Sequence, residues 1–205
     1  LGADGPNAHT LEDPARVRNR AAVTALMGDV ARARGDLVMA AAAYDKAEML
    51  REALVAVSDL PDHRADRAES HRQRGLLLRS QGDLAGAGAE LGKARAIRTE
   101  LFAAHPEALP IRRSLVQSEL DRGDLAALLG DLRQAETAFV SAVDLARGLV
   151  RLATEPDLIE RARFDLSVAL DGLGTAHLDM SQLGTARAAF EEALDLRKAL
   201  LDKRP

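Results

Sequence analysis

Apolar residues recur three or four positions apart along most of this 205-residue chain, the spacing of one face of an α-helix. Near the C-terminus, Leu183, Ala186, Phe190, Ala193, Leu196 and Leu200 make one such stripe, and Leu37, Ala40, Tyr44, Ala47 and Leu50 make another near the N-terminus. The stripes are themselves repeated. Gly28 and Gly35 precede Ala40, Tyr44 and Ala47; Gly75 and Gly82 precede Ala87, Leu91 and Ala94. Gly123 and Gly130 precede Ala135, Phe139 and Ala142; Gly174 and Ser181 precede Ala186, Phe190 and Ala193. The offsets within the four sets are identical, and successive sets begin 47, 48 and 51 residues apart. A fixed internal period marks a stacked array in which each unit covers its neighbour's apolar face.

Punctuation divides the array. Pro14, Pro61, Pro106, Pro156 and Pro205 keep the same beat, and proline belongs in a helix's first turn and not its interior. Within each unit a Gly-Asp pair (Gly35-Asp36, Gly82-Asp83, Gly130-Asp131) or Ser181-Gln182 ends one helix and opens the next. The pattern predicts an all-α fold of eight helices, at about 14–33, 36–58, 62–80, 83–104, 107–128, 131–153, 157–179 and 182–203. The units are about 14–60, 61–105, 106–155 and 156–205, with residues 1–12 a disordered or expression-derived N-terminal segment.

A glycine in the first helix, Gly-Asp at the turn, then Ala, an aromatic or Leu, and Ala resembles the tetratricopeptide repeat. The resemblance implies a right-handed α-solenoid of four antiparallel helix pairs, whose first helices line a concave groove that receives a peptide or a protein surface. These units exceed that family's usual length of about 34 residues. In this they look like the long-repeat bacterial arrays attached to signalling or effector domains such as kinases, caspase-like proteases or nucleotide-driven switch proteins. Two functions of different class follow: a non-catalytic interaction scaffold, or the regulatory or substrate-recruiting arm of a multidomain enzyme whose catalytic domain lies outside these residues.

In the first helices of units two and three, slots the family fills with large apolar residues hold His71 and Arg74, and Glu119 and Arg122. If buried, these four must pair with one another, because an isolated buried charge is costly. That predicts a polar seam between units two and three.

Composition narrows the chemistry. Apolar residues make up 47% of the chain and aromatics only 2%, so Ala and Leu build the core and helices approach closely. Without cysteine there is no disulfide, thiolate metal site or thiol nucleophile, which suits a reducing, cytoplasmic compartment. The net charge of −4 is small and mixed, with no basic cluster for nucleic acid and no apolar run for a membrane. Arginine greatly outnumbers lysine, as a GC-rich bacterial gene would encode. None of the five histidines has metal-ligand spacing, and no nucleophile or carboxylate set forms a catalytic constellation. We therefore expect no catalytic, cofactor-binding or metal residues.

The phase of the first helices, set by each repeat glycine, selects the groove. It picks Ala25, Asp29 and Arg32; Arg72, Leu76 and Arg79; Leu120, Asp124 and Ala127; and Asp171, Thr175 and Leu178. At the other end, the apolar face with Leu194, Leu196, Leu200 and Leu201 has no polar cap. The reading is of a piece of a longer array continuing past Pro205, with an open C-terminal end available for self-association.

Overall fold

The computed structural model describes residues 13–57 and 60–201; the expectation for residues 1–12 lies outside them. The described residues form eight α-helices: α1 (Pro14–Ala33), α2 (Leu37–Val57), α3 (Pro61–Gln81), α4 (Leu84–Ala104), α5 (Leu109–Leu128), α6 (Leu132–Leu152), α7 (Pro156–Asp179) and α8 (Leu183–Leu201). Each helix packs on the next in sequence, so the chain is a row of four helix pairs and not a bundle about one centre.

The turn within each pair follows from two residues. Gly35, Gly82 and Gly130 have φ of +79°, +86° and +78°, and Ser181 takes the fourth such position at +60°. The left-handed residue lets the following N–H fold back on the finished helix: Asp36 N donates to Ala31 O at 2.9 Å, and Asp83, Asp131 and Gln182 do the same to Leu78, Ala126 and His177. The aspartates then cap the next helix through their side chains. Asp36 accepts from Met39 N, Asp83 from Gly86 N and Asp131 from Gln134 N, at 2.8–3.0 Å.

The first-helix glycines mark where the pair crosses. A methyl group on Gly28, Gly75, Gly123 or Gly174 would come within 2.5–2.8 Å of Tyr44, Leu91, Phe139 or Phe190 respectively. The stripe residue of the second helix therefore lies directly on the first helix's backbone.

One boundary differs from expectation. α5 starts at Leu109 with Pro110 in its first turn, while Pro106 lies in the connecting turn after α4. Pro110 can take a first-turn position, so the unit marker at Pro106 does not open the helix.

The first two joints between units are built alike on a buried arginine, and the third differs. At the first, buried Arg51 donates to Ser70 Oγ and Gln73 Oε1, both at 2.9 Å, and Arg74 pairs with Glu48. At the second, buried Arg98 donates to Ser118 Oγ at 2.9 Å and Ser114 O at 3.1 Å, and Arg95 pairs with Glu119 at 2.6 Å. The third is mostly apolar: Val143, Ala146 and Leu149 pack with Ala162, Leu166, Ala169 and Leu170 in one cluster, and at one end His177 Nε2 lies 3.2 Å from Glu136 Oε1. Loss of hydration pulls the pKa of Arg51 and Arg98 below the usual arginine value, against the pull of Glu69.

The expected mutual seam is thus corrected. Only Glu119 and Arg122 pair with each other, 2.9 Å apart. His71 meets Glu90 of its own unit at 2.8 Å, and Arg74 reaches back to the first unit. Helix α4 and the preceding unit lie nearer to these side chains than the next first helix does.

Candidate interaction groove

The backbones of first helices approach one another along the row (α1 with α3, α3 with α5, α5 with α7), whereas second helices meet through side chains, as Arg147 of α6 meets Glu192 of α8 at 2.9 Å. The row therefore curves with its first helices inside. Ion pairs tie each of these helices to the next, with the arginine on the earlier one. Arg18 meets Asp62 and Asp66 at 2.7 Å, Arg72 meets Asp121 at 2.6 Å, Arg79 meets Asp124 at 3.5 Å, and Arg113 meets Asp165 at 2.7 Å.

That ladder engages several residues selected by phase. Arg72, Arg79 and Asp124 neutralise one another's neighbourhood instead of facing a ligand as free charges. Arg72's pKa is raised: loss of hydration pulls it down, but Asp121 and Glu69 pull it up further. Asp29 Oδ1 accepts from Tyr44 Oη at 2.7 Å, and Arg32 Nε donates to the same hydroxyl at 3.4 Å. Asp171 pairs with Arg197, and Thr175, exposed, donates to Asp171 O at 2.9 Å. Leu76 and Ala25 are only 4% and 2% exposed and offer no surface in this conformation. Leu178 is exposed beside Leu183 and Phe190, at the end of the row. Leu120 alone of the selected residues lines a recess between α5 and α7.

This recess is a trough of about 680 Å³ between the N-terminal halves of α5 and α7. Leu109, Val116, Leu120, Leu149, Leu158 and Ala162 form its apolar lining, and Glu69, Arg98, Arg113, Arg161 and Asp165 its charged rim. Arg113 is committed to Asp165 and Arg98 to Glu69, whereas exposed Arg161 has no ion-pair partner among the described residues. An apolar floor beside an unpaired cation can take an apolar side chain and a neighbouring carboxylate. Phase from the repeat glycines missed this trough because it lies about ten residues before them. The period-breaking Leu109-Pro110 and Leu158 were its signal in the sequence.

No family model and no curated protein matches the sequence. Among solved structures, BtubC (BKLC) from P. vanneervenii is similar at a TM-score of 0.59 and 16% identity, over 94% of this chain and 85% of that one. The fold is a tetratricopeptide-like helical solenoid. Weaker likenesses are to MamA protein (TM-score 0.43, 15% identity, 91% of this chain and 97% of that one) and to a putative kinesin light chain with nearly identical TPR-like repeats from Podosopora anserina (0.41, 15%, 95% and 100%). At these identities the likeness concerns the tetratricopeptide-like fold alone. Among the described residues no helix is long and apolar enough to cross a membrane.

Proposed function

We propose that this tetratricopeptide-like chain is a non-catalytic interaction scaffold that receives a peptide or protein surface along its first helices. The observation that carries the reading is the trough between α5 and α7, where an apolar lining meets the unpaired Arg161. An extended segment with an apolar residue next to an acidic one fits it: the apolar side chain covers Leu109, Leu120 and Leu158, and the carboxylate meets the guanidinium. The ion-pair ladder holds the first helices in place, so little ordering accompanies binding.

The test is selection of a random peptide library on the chain, followed by chemical-shift mapping of the tightest peptide. Perturbations are expected in residues 109–120 and 158–165, and Leu158→Glu should weaken binding by about tenfold. Perturbations confined to the outer faces of α2, α4, α6 and α8 would overturn the assignment.

A further inference from the structure

The two ends of the row expose apolar residues at slots that the internal units cover. Counting from each repeat glycine, Val23, Leu26, Met27 and Val30 of α1 correspond to Ser70, Gln73, Arg74 and Leu77 of α3, and to Ser118, Asp121, Arg122 and Leu125 of α5. Ser70, Gln73 and Leu77 are buried against the preceding unit, as are Ser118, Asp121 and Leu125. Val23, Leu26, Met27 and Val30 are 46–62% exposed. A face selected for water would carry polar residues at these slots, and this one carries none, like the internal face of α7 with Ala169, Gly172, Leu173 and Ala176.

The far end matches it. On α8, Leu183 and Leu194 are 67% and 51% exposed and, with Leu178, Ala186 and Phe190, line an apolar recess of about 360 Å³. The corresponding places on α2, α4 and α6 are each filled by one residue of the next first helix. Leu77 packs with Ala40 and Tyr44, Leu125 with Ala87 and Leu91, and Ala176 with Ala135 and Phe139. The residue of α1 in that plug position is Val30. Leu194 stands where Glu48 stands on α2, and Met27 where Glu48's partner Arg74 stands on α3, so both members of that ion pair are apolar at the ends. The apolar cluster of the third joint is an internal precedent, with Val143 and Leu173 in the same two places. Arg197, at the slot of Arg51 and Arg98, would otherwise lack an acceptor opposite Val23. It is already held by Asp171 of its own unit.

We propose that the outer face of α8 docks the outer face of α1 of a second copy, with Val30 plugging the recess beside Phe190. The contact continues the repeat geometry from one copy to the next. It is heterologous, so it leaves one open face at each end and propagates as a linear stack. It is independent of the α5–α7 trough, which stays open in such a stack.

Sedimentation of the chain should show a mass that climbs with concentration. Val30→Glu blocks one face and Leu194→Glu the other. Each variant alone should remain monomeric with unchanged helicity, and an equimolar mixture should yield a 1:1 dimer and nothing larger, through the intact α8 of the first and the intact α1 of the second. A wild-type chain monomeric up to millimolar concentration would overturn the proposal. So would a Val30→Glu variant that still dimerises alone, which would indicate α8 against α8, or a mixture that stays monomeric.

Discussion

Arg98 of α4, a residue only 3% exposed, donates to Ser118 Oγ of α5 at 2.9 Å across the second joint, and its guanidinium also meets Ser114 O and Glu69. Arg51 and Ser70 repeat the contact one unit earlier, and Ala146 and Ala169 occupy the same two slots at the third joint. Arg98→Ala removes the cation but leaves Glu69 and Ser118 in place, so it should cost about 3 kcal/mol in urea unfolding. Arg98→Ala with Ser118→Ala reproduces the pairing natural to the third joint and should cost less than the two single changes added together, by about 1 kcal/mol. Strict additivity would mean the two side chains do not act as a pair.

Phe139 lies between two glycines of neighbouring units. A methyl on Gly123 would fall 2.6 Å from its ring, and one on Gly172 2.5 Å. Either Gly→Ala change should destabilise by about 1–3 kcal/mol through overpacking. In unit two the smaller Leu91 takes the ring's place, and the slot of Gly172 there holds Asp121. Phe139→Leu should therefore reduce the cost of Gly172→Ala. Thermal unfolding of the two variants and their combination checks this, and an unchanged cost would show that the backbone, not the ring, sets the limit.

The repeat frame was legible because glycine, aspartate and the Ala-aromatic-Ala stripe answer to local geometry, the left-handed turn, the cap and the helix crossing, and each recurs at a constant offset. The joints were not. Arg51, Ser70, Arg98 and Ser118 read as surface residues on any single helix, and their burial emerges only once residues 19 or 20 apart are brought face to face. The groove fell between these cases. Of the residues selected by phase only Leu120 lines the trough, and phase could not foresee that Arg72, Arg79 and Asp124 are used in ties between helices, nor that Leu76 is buried.

Ser181 holds φ = +60°, the conformation glycine takes in the other three turns. A side chain there costs about 1–2 kcal/mol, offset in part by the larger unfolded-state entropy of glycine. Ser181→Gly should thus stabilise the fourth unit by a few tenths to about 1 kcal/mol, and Gly130→Ala should destabilise the third by about 1 kcal/mol. Amide exchange at the ends of α7 and α8 localises the first effect. Faster exchange there in Ser181→Gly would contradict the strain assignment.

Tyr44 is the only tyrosine and the chain has no tryptophan, so absorbance at 295 nm reports this one phenol. Its pKa is pushed up to about 12, first by burial and then by the hydrogen bond to Asp29, whose negative charge opposes a phenolate. The unfolded phenol ionises near 10, so between about pH 10 and 12 the unfolded state sheds a proton that the folded state keeps. Stability contributed by the neutral phenol is complete below pH 10 and is lost as pH rises toward 12, by about 2 kcal/mol. Tyr44→Phe should lose about 1 kcal/mol at neutral pH with the Asp29 bond, yet show a shallower alkaline decline. Asp29→Asn should keep the ring buried while lowering the titration midpoint. A folded wild-type midpoint near 10, with helicity intact, would show that neither burial nor Asp29 acts on the hydroxyl.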